Sequence, residues 1–246
     1  MNVGLVKGFG FIVDFLIIVF LLAGIVGGYK KGFLESTIRF IGGIVTFLGA
    51  YLLKGPLSIY LYTNLPFFKL DGFFEGLSVL NVIIYELIAF VVLWVLFSII
   101  LGILVKVFKL ERLMMMIVTK LRIPNKFLGA VFGFLEMYLF VYFFVLIAIF
   151  FANFNSYDMN KRLASYVFKT PLLYETFAPT YNALEDIVEI TLKYENSNDK
   201  VSLNTEALGI LIEYDLIDEE DINTLIGDNK IEVSVEQTSK YKSLSN

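Results

Sequence analysis

Four long apolar stretches follow one another through the first three-fifths of the chain, at about 9–28, 33–53, 79–105 and 127–151. At 1.5 Å per helical residue, each is about long enough to cross a hydrocarbon core of about 30 Å. No water-soluble fold of this size buries four such segments without leaving wide apolar patches exposed. The expected fold is therefore an all-α membrane protein: a four-transmembrane-helix bundle occupying residues 1–152. The first stretch runs on without a small-x-small cleavage site, Ala23-Gly24-Ile25 leading straight into Val26-Gly27-Gly28, so it reads as a retained span rather than a signal peptide.

Composition supports lipid as the solvent. The chain is 57% hydrophobic and 18% charged, where soluble domains carry about 25% charge. It contains neither cysteine nor histidine. Disulfides, thiolate nucleophiles, Cys/His zinc sites, Ser-His-Asp triads and HExxH metallopeptidases are excluded on that ground. No metal or other cofactor is expected, and no enzymatic activity.

Charge divides the chain. Residues 1–151 hold 12 Lys and Arg against 7 Asp and Glu, whereas residues 152–246 hold 8 against 17. The acidic tail argues against nucleic acid as a partner and against docking on an anionic lipid surface. The basic residues also set an orientation. Lys30 and Lys31 lie between the first two spans, and Lys106, Lys109, Arg112, Lys120, Arg122 and Lys126 between the last two. The opposite side offers Lys7, Lys54 and Lys69. The positive-inside rule then puts both basic loops in the cytoplasm, and the N-terminus and acidic tail outside a plasma membrane crossed several times.

Residues 106–122 alternate cations with apolar residues at helical spacing until Pro124. An interfacial amphipathic helix is expected there, with Lys106, Lys109, Arg112, Lys120 and Arg122 on lipid headgroups or a protein partner. Between the second and third spans, a loop at 54–78 is punctuated by Pro56, Pro66, Gly72 and Gly76. Its aromatics Tyr60, Tyr62, Phe67, Phe68, Phe73 and Phe74 suit an interfacial belt.

Within the spans, Gly24, Gly28 and Gly32 recur at four-residue intervals, as do Gly129 and Gly133. Such spacing lets helix backbones approach closely in lipid, so the first and fourth helices are expected to pack together. Intramembrane polar candidates are Asp14, Glu35, Arg39, Glu86 and Glu136. Glu35 and Arg39, one turn apart, can pair. Asp14 and Glu86 can reach the outer interface, while Glu136 can accept hydrogen bonds from a neighbouring helix, be protonated, or line a polar cavity.

The tail reads as two pieces. Residues 153–194 form a membrane-proximal helical segment: a short helix at 158–168, then Pro171 and Pro179, then an amphipathic helix at 181–194 with Leu184, Ile187, Val188, Thr191 and Leu192 on one face. After a linker at 195–199, residues 195–236 form a small acidic helical hairpin. Its first helix (205–216) turns Leu208, Leu211, Ile212 and Leu216 inward, and its second carries Ile222, Leu225 and Ile226 between a cap-like Asp218 and Gly227. Residues 231–236 alternate like a lone strand, and 237–246 read as disordered.

Two clusters carry a resemblance. Asp14, an apolar run and then Gly28-Tyr29-Lys30-Lys31-Gly32-Phe33 form one; Pro124-Asn125-Lys126-Phe127-Leu128-Gly129-Ala130-Val131-Phe132-Gly133 forms the other. Together, in that order, they resemble the CvpA (colicin V production) family of bacterial membrane proteins over about residues 9–182. Glu136-Met137 departs from the basic or small residue more usual there. The resemblance implies a cell-membrane protein associated with toxin production or export and envelope upkeep, without catalytic residues. A scaffold or accessory factor follows, with the bilayer and other membrane or envelope proteins as partners and a homo-oligomer allowed by the glycine faces. The alternative is a small oligomeric transporter or channel that uses Glu136 and Asp14.

Overall fold

The computed structural model describes residues 3–108, 125–152, 171–195, 197 and 199–234. Among them are seven α-helices: α1 (Val3–Lys31), α2 (Phe33–Asn64), α3 (Leu80–Val107), α4 (Asn125–Ala152), α5 (Pro171–Tyr194), α6 (Lys200–Glu213) and α7 (Glu219–Gly227). A single 3-10 turn, Gly72–Phe74, interrupts the connection from α2 to α3, and no strand occurs among the described residues. Lys109, Arg112, Lys120 and Arg122 of the anticipated interfacial helix lie outside the described residues, as do the short helix expected at 158–168 and the last ten residues.

Among the described residues, α2, α3 and the Asn125–Val145 part of α4 are long and apolar enough to cross a membrane. α3 shows why. Val92, Val95, Leu96, Ile99, Ile100, Ile103 and Leu104 stand exposed along it, so it has no polar face to offer water.

Sequence punctuation misjudged several boundaries. α2 does not stop near Leu53: it runs through Gly55 and Pro56 to Asn64. Proline inside a helix removes one backbone hydrogen bond, but tertiary contacts on the extension override that local cost. α5 starts at Pro171, ten residues before the expected helix. Pro171 sits at the first helical position, where the missing N–H is harmless, and Pro179 is carried inside. α6 starts at Lys200 because Asp199, assigned to the linker, caps it by accepting from the Ser202 N–H at 3.0 Å. Residues 231–234 form no strand; there the Ser234 N–H donates to Thr205 Oγ1 at 2.9 Å.

The chain divides into two compact units. One gathers α1, α2 as far as Leu52, α3 from Val92, and α4; the other gathers α2 from Leu53, the connection, α3 as far as Val91, and α5–α7.

In the first unit, α1 and α4 make the most extensive helix pairing. A Cβ added at Gly24 would stand 2.5 Å from the Gly133 carbonyl oxygen, and one at Gly28 would stand 2.8 Å from Gly133 Cα. One at Gly133 would stand 2.7 Å from Gly28 Cα. No Cβ fits at such distances from a neighbouring backbone, so only glycine permits this approach. At the end of this seam, Gly32 turns the chain at φ +83° between α1 and α2. The Asn125 side chain occupies the space a Gly32 Cβ would need and accepts the Phe33 N–H at 2.7 Å, capping α2 from 92 positions away.

The second unit has a core of Phe74, Leu77, Leu80, Ile83, Leu184, Ile187, Leu208, Leu211, Ile222 and Leu225. Tyr62 and Phe74, assigned to an interfacial belt by sequence, are buried in it, whereas Tyr60 and Phe68 remain exposed. The expected inward residues of α6 and α7 are buried at Leu208, Leu211, Ile222 and Leu225. Ile212, Leu216 and Ile226 are only half-buried. On α5, Leu184, Ile187 and Thr191 face inward, but Leu192 is exposed.

Candidate functional site

A cleft of about 320 Å³ opens in the first unit. Glu35, Arg39, Gly43 and Thr46 line it from α2, Trp94, Ser98, Leu101, Gly102 and Lys106 from α3, and Glu136 and Phe140 from α4. Four of the polar candidates named from sequence therefore converge: Glu35, Arg39, Glu136 and Lys106. Asp14 and Glu86 are not among the lining residues.

The sequence arranges this locally. Glu35 and Arg39 are one turn apart, so they share a face of α2; Arg39 Nη2 and Nε donate to Glu35 Oε1 at 3.0 and 3.2 Å. The pair is half-exposed and of modest worth. Glu136 is half-buried, in the field of Lys31 and Arg39, which attract it, and of Glu35, which repels it. Among the described residues neither Glu136 nor Lys106 takes an ion pair. Of the roles open to Glu136 by sequence, the geometry shows its side chain lining a polar cavity.

Aromatic rings form the adjoining wall. Trp94 lies 5.2 Å from Phe140, 4.7 Å from Phe143 and 5.8 Å from Phe47, the last two edge-on. Gly43 and Gly102 leave space rather than close it, since a Cβ on either would meet nothing within 4 Å. Trp94, Ser98 and Thr46 were not singled out by sequence. Only helical spacing could have drawn them in: Trp94, Ser98, Gly102 and Lys106 stand at four-residue steps on α3, and Arg39, Gly43 and Thr46 at steps of four and three on α2.

Glu86 has a different setting. Its Oε1 meets Lys54 Nζ at 2.6 Å, joining α3 to α2 in the second unit, with side chains 13% and 14% exposed. Sequence had sent Glu86 to the outer interface and counted Lys54 only among the cations of that side, without pairing them.

The connection between α2 and α3 is itself a built element held by the tail. Asn204, 2% exposed, accepts from Ser78 Oγ at 3.0 Å and from the Val79 N–H at 3.1 Å, and donates to the carbonyls of Gly76 and Lys200. Both N–H donors and both oxygen lone pairs of that amide are used. Tyr62 donates to Asp221 at 2.6 Å. Lys230 Nζ donates to the carbonyls of Tyr62, Thr63 and Leu65, the exposed end of α2, and lies 5.6 Å over the Phe67 ring. Lys200 donates to the Glu75 carbonyl at 2.7 Å.

Hydrogen bonds also set the acid–base behaviour of the tail. Burial opposes ionisation of Glu206, but hydrogen bonds from Lys193 and Tyr194 outweigh it and hold the carboxyl below its ordinary range. The Tyr214 phenol, donating to Asp186 at 2.8 Å, is pushed up to about 12.

Long helices with apolar surfaces, a glycine seam and a polar cleft between them define a helical membrane protein. The chain belongs to the colicin V production protein family, whose model matches residues 13–171. That membership points to a role in colicin V production, and the match takes in α1 to α4, leaving α6 and α7 beyond it. No curated protein and no solved structure matches the chain.

Proposed function

We propose that the chain is a non-enzymatic scaffold or accessory factor of the plasma membrane, serving toxin production or export and envelope upkeep. α1 joins α2, α3 and α4 as a fourth span. The observation that carries this reading is the α1–α4 seam, whose backbone contacts suit a fixed platform better than a moving gate. The connection from α2 to α3 packs with the tail helices in one unit, which supports an even number of crossings between them, namely α3 and α4. With Lys30, Lys31 and Lys106 on the cytoplasmic side, the N-terminus and tail lie outside. Partners are the bilayer, other membrane or envelope proteins and a second copy of the chain; nucleic acid is not one. The order of pieces is a membrane domain to residue 152, a membrane-proximal segment to 194 and an acidic hairpin to 236.

The test is a pair of variants read in colicin V production and in membrane complexes. Leucine at Gly129 and Gly133 should abolish both, while Glu136→Gln should leave them nearly unchanged. The cleft favours one rival, a small oligomeric transporter. There Glu136→Gln would abolish ion flux in vesicles of purified protein while complexes persisted, an outcome that overturns the scaffold. Reporter fusions after Lys31, Lys69, Lys120 and Glu195 test the orientation; a cytoplasmic signal after Glu195 overturns it.

A further inference from the structure

The cleft of the first unit carries chemistry that a scaffold does not require. Its polar lining has both signs: cations at Arg39 and Lys106, carboxylates at Glu35 and Glu136. Arg39 spends Nε and Nη2 on Glu35 and keeps its Nη1 donors. Lys106 and Glu136 have no ion-pair partner among the described residues. A ligand completing the site therefore brings an anion for Lys106 and Arg39 and a hydrogen-bond-donating cation for Glu136. Ile38, Leu101, Val105 and Phe140 make the rest of the lining apolar, so the same ligand carries hydrocarbon.

The glycines point the same way. Gly24, Gly28, Gly129 and Gly133 are glycine because a backbone lies against them. A Cβ on Gly43 or Gly102 would meet nothing within 4 Å, yet both line the cleft, where a larger side chain would fill it. Their smallness keeps volume open. Lys106 lies in the last turn of α3, and Glu35 and Arg39 lie in the first two turns of α2. These are helix ends, where a spanning helix meets the headgroup layer.

We propose that this cleft binds a glycerophospholipid whose headgroup holds both a phosphate and a primary ammonium, as in phosphatidylethanolamine. The phosphate accepts from Lys106 and Arg39, the ammonium donates to Glu136, and an acyl chain lies along Leu101, Val105 and Phe140. Phosphatidylglycerol lacks the ammonium, and the quaternary nitrogen of phosphatidylcholine has no N–H to donate to a carboxylate.

The test is native mass spectrometry of the full chain released from nanodiscs of equal parts phosphatidylethanolamine, phosphatidylglycerol and phosphatidylcholine. The ethanolamine lipid should be retained about tenfold over either competitor, the worth of one charge-assisted hydrogen bond. Glu136→Gln should remove the preference over glycerol lipid. Gly102→Leu should reduce all specific retention while leaving the melting temperature unchanged, because its added atoms enter open space; Gly43→Leu serves if that variant fails to fold. Equal retention of the three lipids by the unaltered chain overturns the proposal. So does an undiminished preference in both cleft-filling variants. Displacement of the bound lipid by soluble glycerophosphoethanolamine would assign the site to a free headgroup and overturn the lipid assignment. The scaffold reading stands or falls separately, on the glycine seam.

Discussion

The two units are held together by opposite means. In the first, polar groups are few at the α1–α4 contact, and cohesion comes from backbones brought together where glycine leaves no side chain. In the second, a buried amide and a half-buried ammonium fasten the tail to the α2–α3 connection, Asn204 on Ser78, Val79 and Gly76 and Lys230 on the end of α2. The buried Asn81 amide ties that connection to itself at Phe68 and Ser78. With α1 as the proposed fourth span, lipid explains the difference. Between helices in hydrocarbon there is no hydrophobic driving force, so close packing has to supply it. At a watery surface a loop needs its backbone groups satisfied, and the tail satisfies them.

That contrast can be broken in order of expected size. Glu86→Ala should cost the most, about 3–5 kcal/mol, because it removes the carboxylate from a largely buried ion pair with Lys54 between α2 and α3. Thermal melts in detergent measure it, and replacing Lys54 by Met together with Glu86 by Leu should restore most of the loss. Next come two changes with opposite addresses. Gly133→Ala forces a methyl against the α1 backbone and should cost about 1–3 kcal/mol, read as weakened crosslinking between α1 and α4. Asn204→Ala leaves the Val79 N–H unpaired, for about 1–3 kcal/mol, and should speed proteolysis of the tail while sparing the α1–α4 crosslink. If either change disturbs both readouts equally, the two units are not separately held.

Lys230→Met is smaller. It removes a cation from the negative end of α2, worth about 0.3–1 kcal/mol, and should appear as faster amide exchange in the last turn of that helix. The smallest effect is pH dependence confined to the second unit. Glu206 and Asp199 are held below their ordinary values of 4.5 and 3.8, so their contribution is present above that range and is lost as pH falls through the lowered values. Tyr214 is raised to about 12 from 10.0, so its contribution is intact below pH 10 and is lost as pH climbs toward 12. Protease resistance of the tail against pH should therefore show a plateau with losses at both ends, while the α1–α4 crosslink stays flat.

What the sequence made legible follows the same division. Apolar runs and glycines at four-residue spacing are periodic, local signals, and they yielded the long helices and the residues of the seam. Glu35 and Arg39 were legible as a pair because a helical turn brings them together. Asn125, Asn204 and Lys230 gave no such signal. Each is a single polar residue whose partners lie 92 to 168 positions away, so its role exists only once the chain has folded. The same reason explains why Pro56 misled: a breaker is read locally, but α2 continues past it because Tyr62 and the carbonyls beyond have partners in the tail.

The cap on α2 has a consequence for how the molecule is made. The carbonyl of Tyr62 leaves the ribosome 168 residues before the ammonium of Lys230 that it will accept. Throughout insertion of α3 and α4 into the bilayer, the end of α2 is therefore unfinished, its last carbonyls satisfied by water alone. Translation order thus becomes assembly order: the long apolar helices are delivered first, and the chain fastens its α2–α3 connection only as synthesis ends. A chain truncated before Lys230 would hold every segment matched by the family and still leave that loop unlatched.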